Sequence, residues 1–439
     1  MKFRKIMAVV LAALVVFTIA ACGNGNGGND NGEEVNGNGE AAAGETITIW
    51  AWDEAFNIRA MNLAAEMYAD INPDVHIDIV TMAQDDVVAA LNTSLAAGSY
   101  DGLPNIVLIE DYRGPGFLEA FQGEFADLSG VVSPADFAPF KAAISQRDGG
   151  FFSVPFDSGV AALFYRLDLI EEAGFTGEDM EYITWERYIE IGLAVQEATG
   201  VDMLTLDPSD GAQVRMMLQS SGAWYTDEDG EVTLAGNEAL KAAFQVYKDI
   251  VEAGIYRPVA DWDQFVGAFN NGDVASVITG CWIAPSVRSA EEQYGDWRIA
   301  AFPRVGAYAN SVNASSLGGS SWYVLENVEN AELAKSFLQH TVGSSVDLMN
   351  TLAEEINLVS TLIAAEAAEN YSLGVDFFGG QEIFGYFAEW TANVPAVYYG
   401  MHTYLIEDMV VEALQRFIAG EDLETLLEEY QQQAEAAIR

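Results

Sequence analysis

Carboxylates and tryptophans that follow predicted strands are the residues of this chain best suited to chemistry. Trp52 and Asp53 come directly after the alternating segment 46–50, and Glu110 and Asp111 end a short apolar run. Ligands of open α/β sheets lie beyond the carboxyl ends of the strands. Carboxylates accept strong hydrogen bonds and indole rings supply flat apolar surface. These positions predict a site for a small polar ligand, with a core Trp52 and a solvated acidic loop as the alternatives.

Further candidates are acceptors, backbone donors and rings near turns. Asp157 lies in a turn beside a glycine, where a turn-forming aspartate is the alternative. Trp282 and Trp322 have core packing as their alternative, and the glycines before Trp322 offer backbone N–H groups. The candidates added in this way are Asp157, Trp282, Gly319, Ser320, Trp322, Tyr398 and Tyr399.

Several catalytic and metal-binding arrangements are missing from the sequence. The three histidines have no ligand spacing, and neither a nucleophile elbow nor a phosphate-binding loop occurs. The two cysteines supply neither a disulfide framework nor a thiolate zinc site, and Cys281 is predicted to be a small buried residue. The acidic segment 227–230 is interpreted as a turn between strands rather than a calcium site. The sequence thus predicts a protein that is not an enzyme, with no cofactor and no metal.

Alternating strands and helices would position these residues. Strand, helix, strand, helix, strand is predicted over 46–109, and this order favours a parallel sheet covered on both faces. A second set begins near Phe156, with helices at 184–199 and 237–254 that start at a capping residue and stop at a glycine. The length suffices for two domains. The predicted fold class is therefore α/β.

The N-terminus has the layout of a targeting segment. A basic start precedes an apolar run over 6–17 that is too short for a membrane span. The small residues before Cys22 resemble the lipobox of bacterial lipoproteins, and an ordinary signal peptide is the alternative. We expect a signal peptide at 1–21, a lipid anchor on Cys22 and a disordered Gly/Asn-rich tether over 22–44.

The charge of the chain is strongly negative. The formal net charge is −48, from 67 Asp and Glu against 19 Lys and Arg, and it is spread along the chain. Nucleic acid is therefore excluded as a partner. A solvated acidic surface also suits high salt or an alkaline exterior, which is a hypothesis about habitat.

A family resemblance rests on the order of several segments between about residue 46 and the C-terminus. These segments are ITIWAWD, GLPNIVLIEDYRG, VPFDSGVAALFYRLDLIEEAGF, TWERYIEIG, GDVASVITGCW, GGSSWYVLENVENAELAKSFL and NVPAVYYG. The sequence resembles the extracellular carbohydrate-binding proteins of ABC importers, the two-lobed family that includes the maltose-binding protein. Within that family it looks closest to arabinose-oligomer and lactose-type binders.

The resemblance implies a type II periplasmic-binding-protein fold with a hinged cleft between two lobes. The implied N-terminal lobe is 45–155 with about 316–365, and the C-terminal lobe is 156–315 with about 366–439. The hinge candidates lie near Pro155, 303–318 and 362–371.

The resemblance also implies roles for particular residues. Asp157 falls at an interlobe crossing, and Trp282 takes the place of a stacking tryptophan. Tyr398 and Tyr399 stand where relatives supply an aromatic ring, although the maltose-binding protein has a tryptophan nearby and the spacing differs. Either tyrosine is left open as the one that faces the cleft.

The implied function is capture of a sugar or short oligosaccharide by hinge closure and its delivery to an ABC permease with its ATPase. The implied location is the outer face of the cytoplasmic membrane, as a monomer held by lipid. Two alternatives remain open. A glycosidase would need two carboxyl groups roughly 5 to 9.5 Å apart, and a binder of polyamines or basic peptides would also use carboxylates and aromatic faces.

Overall fold

The computed structural model describes residues 45–438, which form an α/β structure. The strands in this range are β1 (Thr46–Ala51), β2 (His76–Thr81), β3 (Ile106–Glu110), β4 (Gln146–Arg147), β5 (Gly150–Phe151), β6 (Val154–Asp157), β7 (Ala161–Arg166), β8 (Leu204–Leu206), β9 (Tyr256–Pro258), β10 (Ser276–Gly280), β11 (Trp297–Ala301) and β12 (Ser320–Val324). The helices are α1 (Arg59–Ala69), α2 (Gln84–Ala97), α3 (Gly114–Ala120), α4 (Pro139–Ser145), α5 (Leu167–Glu172), α6 (Trp185–Thr199), α7 (Ala212–Ser220), α8 (Glu238–Ala253), α9 (Trp262–Asn270), α10 (Ala284–Arg288), α11 (Ala331–His340), α12 (Val346–Ile356), α13 (Ile383–Asn393), α14 (Thr403–Ile418) and α15 (Leu423–Ala437).

Local signals fix several helix ends. The Thr184 hydroxyl accepts from the N–H of Arg187, and Asn237 caps α8 in the same way. Glycines at positive φ end α2, α6 and α8, because only glycine enters this region without steric cost. The helices predicted at 184–199 and 237–254 are confirmed to within a residue or two.

The first sheet has the order β2-β1-β3-β12-β6. Strands β1, β2 and β3 are parallel, whereas β12 pairs antiparallel with both β3 and β6. The parallel arrangement predicted for the strands within 46–109 is therefore confirmed. Strand β12 arrives from a distant part of the chain and runs in the opposite direction, so the complete sheet is mixed.

The second sheet, β10-β7-β11, is antiparallel throughout. Its strands are buried on both faces beneath helices that include α6, α8, α13 and α14. Separate clusters of buried apolar side chains cover the two sides of the first sheet. Two sheets with their own cores constitute the two lobes.

The chain crosses between the sheets three times. It leaves β6 at Asp157 for β7, and it returns from β11 to β12 through 302–319. The third crossing follows α12, because Ala365 packs in the core of the first lobe and Tyr371 in that of the second. The three hinge candidates coincide with these crossings, and their flexing stays a prediction.

Two expectations concern membranes. The predicted signal peptide, Cys22 and the whole tether lie outside the described residues. Within 45–438, none of the helices combines the length and apolar character required to cross a membrane.

Candidate functional site

Two tryptophans line a pocket at the strand ends of the second lobe. Trp282 follows β10, and its Nε1 donates to the carbonyl oxygen of Leu317 at 2.8 Å. Trp262 begins α9 and is 53% exposed. The ring centroids lie 6.0 Å apart with planes inclined by 36°. The pocket between these rings and β8 has a volume of about 230 Å³.

Polar side chains complete the wall of this pocket. Asp207 follows β8 and Asp210 precedes α7, while Asp261 caps α9 by accepting from the N–H of Gln264. The Oε1 atom of Gln213 is buried and has no hydrogen-bond partner. An unpaired buried acceptor costs free energy, so a ligand hydroxyl that donates to it would be stabilised. Rings and acceptors together suit a ligand with apolar faces and hydroxyl groups.

Side chains from both lobes meet beside this pocket. Tyr404, on α14 of the second lobe, donates its hydroxyl hydrogen to Glu110 Oε2 of the first lobe at 2.6 Å. Arg113 lies 3.4 Å from the same carboxylate oxygen, and its guanidinium sits 4.5 Å from the centroid of the Tyr404 ring. We call this group of Glu110, Arg113 and Tyr404 the latch.

A buried ion pair lies between the latch and the tryptophan pocket. Arg215 on α7 contacts Glu407 on α14 at 3.0 Å, and Glu407 also accepts from the hydroxyl of Tyr225. The guanidinium lies 5.0 Å from the ring centroid of Tyr112 and 5.4 Å from that of Tyr404. Burial raises the pKa of Glu407 to about 7 although Arg215 opposes the shift.

Asp111 lies in a second buried ion pair. Its carboxylate contacts Lys141 Nζ at 2.5 Å, and both side chains have almost no exposed surface. Lys141 also donates to the carbonyl oxygen of Ser320, and Ser321 donates to Asp111. Burial raises the pKa of Asp111 to about 6 against the attraction of Lys141. In this conformation the carboxylate is directed to protein partners.

Asp157 and the glycine-rich loop are joined at the crossings. The Asp157 carboxylate accepts from both the N–H and the hydroxyl of Ser320, at 2.8 and 2.5 Å. Gly319 has φ +94°, and a Cβ there would lie 2.6 Å from Asp111 Oδ2. Only glycine fits that position. The hydrogen bonds between Asp157 and Ser320 join the crossing after β6 to the crossing before β12.

The candidates at β1 and within β12 have separate surroundings. Trp52 is half-buried against the core of the first lobe, and Asp53 caps the π-helical turn that follows by accepting from two backbone N–H groups. Trp322 is fully buried and packs edge-to-face on Phe156. None of these three side chains lines the tryptophan pocket.

The two adjacent tyrosines face different surroundings. Tyr399 is buried against Tyr112 and Trp224 and donates to Gln219. Tyr398 is half-buried and lines a broad groove of about 790 Å³ together with Trp224 and residues 226–228. This groove is larger than the tryptophan pocket, and its lining includes Ala143 of the first lobe besides residues of the second.

The remaining predictions concern Cys281 and the acidic turn. Cys281 is confirmed as buried, and burial raises the pKa of its thiol. Asp227 accepts from the N–H groups of Asp229 and Glu231 inside a bridged turn, as interpreted. Across 45–438, His, Cys, Asp and Glu side chains form no group of three that would hold a metal ion.

Of the residues predicted from the sequence, Trp282 lines the tryptophan pocket and Glu110 lies in the latch. The other predicted residues have the separate surroundings described above. Sequence reasoning missed Trp262, Asp207, Gln213, Arg215 and Tyr404. The strand-end rule would have found Asp207, but β8 is too short to give a periodic signal.

The fold and the pocket together define a two-lobed solute-binding protein. The sequence matches the family described as bacterial extracellular solute-binding protein over residues 63–377, and the chain belongs to that family. It is 41% identical over 399 residues to a lactose-binding protein of Rhizobium radiobacter, covering 91% of this chain and 94% of that protein. The expectations of a binding protein rather than an enzyme, and of an extracellular location, are confirmed.

A further relative and a solved structure are also similar to this chain. An arabinooligosaccharide-binding protein of Bacillus subtilis is 25% identical, with 78% of this chain and 77% of that protein covered. An ABC transporter associated binding protein from B. animalis subsp. lactis, solved with beta-1,6-galactobiose, superposes with a TM-score of 0.68 at 22% identity, with 89% and 96% of the two chains covered. The structural likeness confirms the two-lobed fold.

Proposed function

We propose that the protein captures a sugar or short oligosaccharide in the tryptophan pocket and delivers it to an ABC import permease. The observation that carries this proposal is the pairing of Trp262 and Trp282 with the unpaired acceptor of Gln213. Sugar rings present C–H patches to aromatic faces and hydroxyls to polar groups. The 41% identity to a lactose-binding protein makes a β-galactoside the first ligand to test.

Closure of the hinge completes the site in this proposal. The pocket of about 230 Å³ is smaller than the ~300–1,000 Å³ of ligand clefts, so contacts from the first lobe are needed to enclose a ligand. Contacts made only in the closed form shift the population toward closure. The permease then recognises the closed shape.

The proposal includes a membrane anchor and a monomer. Lipid on Cys22 would hold the protein at the outer face of the cytoplasmic membrane, and the Gly/Asn-rich segment 22–44 would let the binding lobes reach the permease. Support comes from the basic start, the length of the apolar run and the position of Cys22. Mass spectrometry of the membrane fraction would detect diacylglyceryl-Cys22.

The experiment for the ligand class is a thermal-shift and fluorescence screen of residues 45–439 against lactose, other mono- and oligosaccharides, and polyamines. We expect an intact galactoside to raise the melting temperature, with an affinity that barely changes with salt. A shift with polyamines alone that falls steeply with salt would instead support the cation binder, for which Asp207, Asp210 and Asp261 supply charge. Release of free sugar over time would contradict the assignment as a binding protein.

A further inference from the structure

Three carboxylates give the tryptophan pocket a negative charge. Asp207, Asp210 and Asp261 line it, and among the described residues that line it none is a lysine, arginine or histidine. The side chain of Asp210 is 53% exposed, and aspartate in contact with water is ionised at neutral pH. The indole rings and β8 exclude part of the surrounding water, so these charges act more strongly on a bound ligand than charges on an open surface would.

Two of these carboxylates keep one oxygen available to a ligand. Asp207 Oδ1 accepts from the N–H and the hydroxyl of Ser209, at 2.8 and 2.6 Å, and Asp210 Oδ1 accepts from a backbone N–H two residues along the chain. In the described part of the chain, no hydrogen bond uses the Oδ2 atom of either residue. Both oxygens of Asp261 instead accept from Gln264. A sugar hydroxyl can donate to the two available oxygens, whereas an anionic group of a ligand would be repelled by them.

The cations nearest to this pocket are paired with other carboxylates. Arg215 is almost fully buried and lies 3.9 Å from Asp210 but only 3.0 Å from Glu407. Arg257 lies on β9, which pairs with β8, and its guanidinium is 3.2 Å from Asp273. Neither arginine lines the pocket, so neither offers a counter-charge to an acidic ligand.

We propose that Asp207, Asp210 and Asp261 make the tryptophan pocket select sugars by charge, so that it binds neutral sugars and excludes sugars that carry a carboxylate, sulfate or phosphate. This inference rests on the proposed function, because it concerns the ligand of the same site. A neutral hydroxyl forms a charge-assisted hydrogen bond with a carboxylate, whereas an anionic group loses hydration and meets like charge. The indole rings contact the apolar faces of either kind of sugar, so the carboxylates provide the discrimination.

The test compares ligands that differ in charge and hardly in size, by isothermal titration calorimetry on residues 45–439. Lactose oxidised to a carboxylic acid at C6 of the galactose ring, or at C6 of the glucose ring, is compared with the methyl ester of the same acid at neutral pH and low ionic strength. Whichever ring occupies the pocket, one of the two acids places its charge there. For that acid the wild type should bind the ester at least about tenfold more tightly, and added salt should narrow the difference.

Two variants test which charges discriminate. Asp207→Asn and Asp210→Asn keep an oxygen acceptor and remove the charge, so each should lower the ratio of the dissociation constants of acid and ester, and the double variant should lower it further. Asp229→Asn is the matched control, because it removes an exposed aspartate that does not line the pocket. It changes the net charge of the chain by the same amount as either single variant and should leave the ratio unchanged.

The outcomes separate charge selection from sugar binding itself. Equal affinity of the wild type for acid and ester at both positions, or an unchanged ratio in a double variant whose melting temperature shows it to be folded, would overturn the charge selection while leaving sugar binding intact. A ratio that falls as much in Asp229→Asn as in Asp207→Asn would also overturn it, because the overall charge would then be the cause. Absence of binding to lactose and to both esters would overturn the proposed function and this inference with it.

Discussion

The strand ends of the two lobes carry similar residue types and use them differently. In the first lobe, Asp111 and Asp157 are buried and their oxygens accept from Lys141 and Ser320. In the second lobe, Asp210 is half-exposed beside two tryptophans, one of them open to solvent. Carboxylates near strand ends therefore bond to other parts of the protein in the first lobe, and they remain accessible to a ligand in the second.

The distinction depends on a cation supplied from elsewhere in the chain. Lys141 lies 30 residues beyond Asp111 and enters the interior on α4, where it neutralises the carboxylate. At the tryptophan pocket the buried cation Arg215 lies 3.9 Å from Asp210 but pairs more closely with Glu407, at 3.0 Å, so the Asp210 carboxylate remains half-exposed. The difference between the two regions can be tested by removing the partners one at a time.

The largest effect is expected from Lys141→Met. Removing one member of a buried ion pair leaves the other charge uncompensated, so the free energy of unfolding should fall by about 3–5 kcal/mol at pH 8. Denaturant unfolding measures the change. The double variant Lys141→Met with Asp111→Asn should recover part of it, and Lys241→Met at an exposed pair should cost far less. A small loss in Lys141→Met would contradict the bracing role.

A pH-dependent effect is expected at Glu407. Burial raises its pKa from 4.5 to about 7, so the folded state holds the proton more tightly than the unfolded chain. The stability linked to this group is present below about pH 4.5 and is lost as pH rises through 7, with an upper value on the order of 3 kcal/mol. As the pH rises from 5 to 8, the free energy of unfolding of Glu407→Gln should therefore increase relative to that of the wild type, as measured by urea unfolding. The opposite trend would mean that the Arg215 ion pair outweighs burial.

Ligand affinity should depend on Trp282. Trp282→Ala removes an aromatic wall of the pocket, and we expect lactose binding to weaken at least tenfold, about 1.4 kcal/mol. Calorimetric titration gives the dissociation constant. Trp282→Phe keeps a ring and should lose less, while Trp322→Phe in the core of the first lobe should affect stability more than affinity. Unchanged lactose affinity in a folded Trp282→Ala would contradict the assignment of the tryptophan pocket as the sugar-binding site.

The smallest effect is expected from Gln213→Ala. The variant removes the unpaired Oε1 acceptor and with it one hydrogen bond to the ligand, so affinity should fall by about 0.5–1.5 kcal/mol. The same titration measures it. Because Gln213 also donates to the carbonyl oxygen of Ile278 at 3.2 Å, a melting temperature is needed to separate affinity from stability. A gain in affinity would contradict the assigned contact.

Local patterns predicted much of the fold because they depend on near neighbours. Capping residues and glycines marked α6 and α8, and the resemblance indicated two lobes and three crossings. The antiparallel β12 was not visible, because its direction is set by pairing with β3 and β6 at long range.

The candidate site was predicted less completely for the same reason. Trp282 was found from its turn, whereas Tyr404 bonds a residue 294 positions away and no short motif announces that contact. The bracing role of Asp111 was missed because Lys141 resembles an ordinary surface lysine in sequence. Burial, which decides between a ligand contact and a structural one, is a property of the assembled fold.

A crystal structure of residues 45–439 with lactose would test most directly whether the tryptophan pocket binds the sugar. We predict a sugar ring packed within about 4 Å of the Trp282 indole, with a hydroxyl donating to Gln213 Oε1 and the lobes closed over it. A lactose molecule in the groove lined by Tyr398 and Trp224, with the tryptophan pocket filled by solvent, would contradict the account.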